Sequence, residues 1–233
     1  MITVVCVKAP PSEYYTEEWV VKLKRGLERH LKADHRFVCL TNDQIDGVET
    51  IPLERKFGYH WAKLECFRPG LFKGPVVYMD LDVLFTGSMD FLADTIVPQT
   101  SFLMIDDIPS LPEIHNSTLM RWNADSPAIA NMFEEFASNE DHYKAQYRWS
   151  PEAKAMYGDQ AFIADYLRCQ GCEPTRWQQM YPQEWFEIFS SCGKVEPQSS
   201  EWKPGDDTRF WYCLGEPKFH QRRDMPLVAQ NWI

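Results

Sequence analysis

Two aspartates one residue apart, Asp80 and Asp82, close an apolar run that starts at Pro75 and reads Pro-Val-Val-Tyr-Met before the Asp-Leu-Asp triplet. In an extended strand alternate side chains share a face, so Asp80 and Asp82 would point together while Leu81 points oppositely into packing. Two carboxylates in one small space repel each other and are costly to desolvate unless a cation or hydrogen-bond donors lie between them. A hard divalent ion is the natural occupant. Oxygen ligands suit Mg²⁺ or Mn²⁺, whose remaining positions are commonly filled by substrate phosphates. The competing reading is a solvated turn after a buried strand, helped by Gly87.

Other polar groups stand out less sharply. His115-Asn116-Ser117-Thr118 offers groups that could face a sugar, although Asn116 alone could cap a turn. Asp159 follows Gly158 at the start of an amphipathic segment carrying Phe162, Ile163, Tyr166 and Leu167, where a carboxylate also suits the helix dipole. Cys169-Gln170-Gly171-Cys172 has a spacing seen in zinc and redox sites. No second such pair exists, and only the isolated Cys192 and Cys213 could complete four thiolates. No Ser-His-Asp signature, P-loop or G-x-G-x-x-G loop is present.

The elements that must position these groups read as an open α/β sheet. Ile2 to Val7 is a β-branched run stopped by Ala9-Pro10-Pro11-Ser12. Thr16 can cap a helix with Glu17 and Glu18 in its first turn and Trp19, Leu23, Leu27 and Leu31 at helical spacing. Arg36 to Leu40 and Val48 to Leu53 read as strands, and Tyr59 to Phe67 as a helix with Trp61, Leu64 and Phe67 on one side, ended by Pro69-Gly70. The strand into Asp80 follows, and ligands of such sheets bind beyond the carboxyl ends of the strands. Further on, Met89 to Leu92 suggests a short helix or turn, Ser101 to Ile105 a strand ending at Asp106-Asp107, and Ser126-Pro127 the start of a helix through Ile129, Met132, Phe133 and Phe136. After about Cys172 the periodicity weakens. A loop-rich segment holding Trp177, Tyr181, Trp185, Trp202, Trp211 and Tyr212 is expected to pack onto the sheet.

Composition sets the outer bounds. With 233 residues, 44% hydrophobic and 14% aromatic, the chain can bury a full core, and one domain over 1–233 is expected. The 24 basic and 34 acidic residues give a net charge of −10, which argues against nucleic acid or an anionic membrane surface as partner. An anionic substrate would need local help. Seven cysteines, odd in number and scattered, do not resemble a disulfide framework and point to a reducing compartment. The N-terminal apolar run is too short for a signal peptide or a membrane span, so a cytoplasmic protein without stable membrane insertion is expected.

Taken together, Val4-Val5-Cys6-Val7, Phe37-Val38-Cys39-Leu40-Thr41-Asn42-Asp43, Trp61-Ala62-Lys63-Leu64-Glu65-Cys66-Phe67-Arg68-Pro69-Gly70 and Tyr78-Met79-Asp80-Leu81-Asp82 resemble the GT-A glycosyltransferases. More narrowly, the chain resembles small bacterial and phage proteins related to the glycogenin and lipopolysaccharide galactosyltransferase group. The resemblance covers most of the chain and is strongest from Ile2 to Gly87. It implies a Rossmann-like nucleotide-sugar-binding domain, with a mixed, mostly parallel sheet flanked by helices and a loop-rich C-terminal segment. The donor would be a nucleotide-sugar, UDP-linked by the family comparison, and the acceptor is unidentified. Lys8, Ala9 and the loop to Tyr15 would hold base and ribose, with Asp43 beside them. Lys63 would reach toward the diphosphate or donor sugar. Asp80 and Leu81 would contact the nucleotide-sugar, and Asp80 and Asp82 would hold Mn²⁺ or Mg²⁺ against the diphosphate.

By the same resemblance Asn116 lies in a donor-sugar or acceptor loop, Asp159 and Gln160 match an Asp-Gln pair near the reacting sugar, and Lys218 matches a phosphate-contacting lysine. One position departs from the pattern. Relatives usually carry a metal-binding histidine just before the glycine of Gly215-Glu216-Pro217-Lys218, whereas this chain has Tyr212-Cys213-Leu214, and Leu214 has no ligating atom. His220 is the candidate replacement. In an inverting reaction Asp159 would be the acceptor base, with Asp106 and Asp107 behind it. In a retaining one, which the family comparison favours, Asp159 and Gln160 would support the donor face. Rival readings are a nucleotidyltransferase and a catalytically reduced nucleotide- or sugar-binding protein of the same fold.

Overall fold

The β-branched run forms the central strand β1 (Ile2–Val7), whose residues from Ile2 to Cys6 are buried because both faces of the sheet are covered. The structure is a computed structural model describing residues 1–10, 15–95, 98–106, 115–150, 157–191 and 206–233. Helix α1 (Glu17–His30) follows, with Glu17 and Glu18 in its first turn, Arg29 and His30 in its last, and Trp19, Val20, Leu23 and Leu27 buried along one stripe. Thr16 occupies the N-cap position, but its side chain makes no capping hydrogen bond. Then come β2 (His35–Leu40), β3 (Glu49–Ile51), a 3₁₀ helix over Tyr59–Phe67, and β4 (Pro75–Met79). The chain continues through β5 (Val83–Phe85), α2 (Phe91–Asp94), β6 (Leu103–Asp106), β7 (His115–Asn123), α3 (Met132–Ser138), α4 (Glu140–Gln146) and α5 (Gly158–Cys169). It ends with β8 (Thr175–Arg176), α6 (Trp177–Met180), β9 (Phe186–Ser191), β10 (Phe210–Leu214) and α7 (Pro226–Asn231).

Seven strands form the main sheet in the order β3-β2-β1-β4-β7-β6-β8. All run parallel except β7, which pairs antiparallel with both β4 and β6. Alternation along the strands then divides the core. Val4, Cys6, Val77 and Met79 face a layer containing Trp19, Leu23 and Phe85, while Val5, Val76 and Tyr78 face one containing Trp61, Leu64 and Phe162. Each fully buried large side chain contributes about 1.5–3 kcal/mol relative to exposure. A smaller sheet, β5-β10-β9, covers the first layer.

Several sequence expectations are corrected here. The strand into the Asp-Leu-Asp triplet stops at Met79, and the triplet forms the bend that carries the chain from the main sheet to β5. His115 to Thr118 is no loop. It opens β7, a nine-residue strand inside the sheet, and its polarity reflects its position at the ligand edge. The Trp61, Leu64 and Phe67 spacing of three is the eclipsed row of the 3₁₀ helix that forms, and all three side chains are buried. Ser126-Pro127 begins only a 3₁₀ turn, Pro127–Ile129, with the Ser126 hydroxyl accepting from the Ala128 N–H at 3.3 Å; α3 starts separately at Met132. Among the described residues the C-terminal segment supplies β8, β9, β10, α6 and α7. Trp202, Cys192, Asp107 and the loop residues 11–14 lie outside the described residues.

Candidate active site

After β1 the chain moves to β2 and β3 on one side, then returns to place β4 on the other side of β1. That reversal opens a crevice beyond the carboxyl ends of β1 and β4, the usual ligand position of such sheets. Lys8 and Asp43 follow β1 and β2 there and form an ion pair, with Ala9 half-buried beside Lys8. Asp80 follows β4, and its N–H donates to the Thr118 carbonyl at 2.9 Å, extending the pairing with β7 by one residue. Because β7 runs antiparallel, its first residues come to the same edge where β4 ends.

The polar centre is a buried cluster from four elements. Lys63, from the 3₁₀ helix, sets its ammonium 3.1 Å from Asp80 Oδ1, 3.2 Å from Asp159 Oδ2 and 2.8 Å from Ser117 Oγ. Ser117 Oγ donates to Asp159 Oδ2 at 2.5 Å. The Tyr78 hydroxyl donates to Asp80 Oδ1 at 2.6 Å and the Thr118 hydroxyl to Asp80 Oδ2 at 2.9 Å. Burial opposes the Lys63 charge, but the Asp159 and Asp80 carboxylates outweigh it and hold the ammonium above the ordinary lysine pKa. Burial likewise opposes ionisation of Asp80, yet Lys63, Tyr78 and Thr118 together hold its carboxyl below the usual range.

Asp82, 5% exposed, has its own partners. The Tyr15 hydroxyl donates to Asp82 Oδ2 at 2.9 Å, and Lys218 makes an ion pair with the same oxygen. Burial and the neighbouring Asp82 push the Tyr15 phenol far up, so it remains a donor at neutral pH. Burial opposes the Lys218 ammonium, and Asp82 more than offsets it. Between the two aspartates Leu81 is buried in the core, at the bend that follows β4.

Asp80 and Asp82 supply carboxylate oxygens of the kind a hard divalent cation takes, and each carboxylate is paired here with an ammonium ion, that of Lys63 and of Lys218 respectively. Among the described residues no three of His, Cys, Asp and Glu are grouped to hold a metal. His220 lies in the 3₁₀ turn Phe219–Gln221, its ring edge-on to Trp19 with centroids 5.4 Å apart, and is not gathered with the aspartates into a three-ligand group.

The remaining expected residues are placed as follows. Asn116 is buried in β7, where its Oδ1 accepts the Thr118 N–H at 2.7 Å. Gln160 is half-buried in the first turn of α5, beside Asp159. Asp106 ends β6 with Oδ1 3.4 Å from Arg176 Nε, outside the Lys63 cluster, and burial pushes its carboxyl up against the pull of that guanidinium. Cys169 is exposed while buried Cys172 donates to the Thr100 carbonyl at 3.1 Å; both are free thiols in the turn ending α5. Sequence reasoning gave no role to Tyr78 and placed Ser117 and Thr118 only among polar groups that could face a sugar, not as partners of Asp159 and Asp80. Their only signal was polarity within buried strands, which becomes meaningful once β7 is known to abut β4.

Among the described residues no helix is long and apolar enough to cross a membrane. No family model matches the sequence, and no curated protein matches it significantly. Solved structures do. An active-site mutant of LgtC aligns over 98% of this chain and 96% of its own, with TM-score 0.61 and 14% identity. The galactosyltransferase LgtC in complex with donor and acceptor sugar analogues gives 0.58 and 12% over the same shares. The bifunctional glycosyltransferase WbbM, in its apo form, gives 0.60 and 13% over 99% of this chain and 50% of its own. The architecture of this chain is thus that of the GT-A glycosyltransferases, a mixed α/β fold with a mostly parallel central sheet flanked by helices.

Proposed function

We propose that this protein is a glycosyltransferase that moves a hexose from a nucleotide-sugar, UDP-linked, to an acceptor hydroxyl. The observation that carries this reading is the buried cluster of Lys63, Asp80, Ser117 and Asp159, set beside Asp82 and Lys218 at the sheet's ligand crevice. So much cationic and anionic charge, desolvated at one strand end, is costly unless it has work to do. Lys8, Ala9, Tyr15 and Asp43 line the approach from β1 and β2 and are assigned to the nucleoside.

Mn²⁺ or Mg²⁺ held at Asp80 and Asp82 would supply Lewis-acid neutralisation of the leaving diphosphate. The chain's own groups do the rest. Lys218 and Lys63 carry positive charge that can be shared with phosphate oxygens as the bond to the anomeric carbon breaks. Ser117 and Lys63 both hold Asp159 by Oδ2, which leaves Oδ1 as the oxygen to face the donor sugar. There Asp159, with Gln160 and Asn116, would support the oxocarbenium-like transition state, and we favour retention of configuration. A specific observation favours one rival, a binding protein with reduced catalysis: with two carboxylates and Leu214 at the position of a usual ligand, the described clamp is minimal.

One experiment addresses both. Thermal shifts are measured for a panel of nucleotide-sugars with and without Mn²⁺, on the wild type and on Asp82→Ala, together with nucleotide release over time. A ligand at about 100 times its Kd should stabilise by about 2.7 kcal/mol. Metal-dependent stabilisation by one donor that disappears in Asp82→Ala, with release of its nucleotide, supports transfer. Equal shifts in both proteins would remove the metal clamp, and binding without turnover would favour the rival.

A further inference from the structure

Among the described residues, the large hydrophobic side chains most open to solvent are Met1, Tyr59, Trp149, Met180 and Ile233. Met1 and Ile233 are chain ends. The two aromatic rings in the group, Tyr59 at 73% and Trp149 at 60% exposure, both belong to segments that converge on Gly158, the residue before Asp159. On one side, His60 Nε2 lies 3.2 Å from where a Cβ on Gly158 would sit. His60 also senses the charges of Asp159, Lys63 and Asp80, and burial holds its imidazole below the ordinary histidine pKa. On the other side, the Gly158 N–H donates to the Tyr147 carbonyl at 2.8 Å, two residues before Trp149. Lys144 Nζ joins the two flanks by donating to the Phe57 carbonyl at 2.6 Å.

Both flanks are tied to the core by side-chain contacts. Tyr147 donates its hydroxyl to Asp165 Oδ2 at 3.1 Å, and Tyr143 packs on Phe162 with ring centroids 4.7 Å apart. Phe57 is buried against Phe133 and Phe136. Between that anchor and the buried Lys63 helix the backbone takes left-handed conformations at Gly58 (φ 73°) and at Tyr59 (φ 46°). A tyrosine with positive φ is disfavoured, and such conformations cluster at ligand sites. An exposed aromatic face is apolar, carries a negative quadrupole and has few torsions to lose, which matches the weakly positive C–H face of a pyranose ring.

We propose that Tyr59 and Trp149 form the acceptor platform of this site: two aromatic faces that stack on the rings of a carbohydrate acceptor and present its hydroxyl toward Asp159. This rests on the glycosyltransfer reading and adds that the acceptor is a glycan. Each lost ring should weaken glycan binding about five- to tenfold, while nucleotide-sugar binding, which belongs to the β1–β4 crevice, is retained.

The test uses the full chain as wild type, Tyr59→Ala, Trp149→Ala, Tyr59→Phe and Tyr59→Gly, the last relaxing the backbone while removing the ring. A glycan microarray reads carbohydrate binding, and UDP-sugar thermal shifts with Mn²⁺ read the donor site. Support is binding of a glycan by the wild type and by Tyr59→Phe, a loss of at least fivefold in the alanine and glycine variants, and unchanged donor shifts. Where turnover is seen, the acceptor KM rises and the donor KM holds. Three results overturn the proposal: no glycan bound by the wild type, glycan binding unchanged in both alanine variants, or donor shifts lost together with the ring, which would place Tyr59 on the nucleotide. Absence of any donor shift in every protein, with glycan binding still ring-dependent, would instead overturn the transferase reading and keep the platform.

Discussion

Replacing Lys63 with methionine keeps most of the side chain's volume and removes the charge that the buried Asp159 and the half-buried Asp80 share. The ammonium is 3.1 Å from Asp80 Oδ1 and 3.2 Å from Asp159 Oδ2, and the Lys63 and Asp159 side chains are each 6% exposed. At an effective dielectric of about 20, each attraction is about 5 kcal/mol, and desolvation of the ions offsets more than half of the sum. The expected loss is about 3–5 kcal/mol at pH 7, typical of a buried ion pair broken from one side. The sign with pH follows. Without Lys63, Asp80 loses the main charge that holds its carboxyl below the usual range while its burial remains, so its folded-state pKa rises and protonation relieves the penalty as pH falls. Urea unfolding at pH 7 and pH 5 measures both quantities. Pairing Lys63→Met with Asp159→Asn should recover part of the loss, because the second change removes one stranded charge. A loss under about 1 kcal/mol, or one that does not shrink toward pH 5, would refute the idea that this cluster is held together by charge.

Two further expectations concern the frame around the site. Gly158→Ala should cost about 1–3 kcal/mol, since alanine is strained at φ 71° and its methyl would press on His60 at 3.2 Å; thermal unfolding measures it, and His60→Ala should restore only the steric part. His115 is buried and its imidazole is held below the ordinary value of about 6.5, first by desolvation and then by Arg168, so the unfolded chain takes up a proton first on acidification. Its contribution to stability is whole above about pH 6.5 and is lost as pH falls through the folded pKa. His115→Phe should flatten that part of the stability profile, and an unchanged slope between pH 7 and 5 would count against it.

Much of the fold is legible in local pattern. Ile2 to Val7 as a buried strand and Trp19, Leu23 and Leu27 as a helix stripe depend on short-range periodicity, and each forms as read. Gly158-Asp159-Gln160 as a helix start does too, since a carboxylate in the first turn is favoured by the dipole. His115 to Asn123 was not legible. A strand buried between two neighbours shows no alternation, and its first four residues are polar because they border the crevice.

The order Asp80-Leu81-Asp82, with a core leucine between two aspartates, was readable in the sequence. What those carboxylates meet was not. Lys63, Asp159 and Ser117 reach Asp80 and one another across sequence separations of 17, 42 and 54 to 96 residues, and Lys218 reaches Asp82 across 136. Such contacts arise from strand order, from the antiparallel run of β7 and from the way the C-terminal strands fold back over β5. Periodicity describes how a segment buries its own faces; it carries no term for which distant segment will supply the opposite charge.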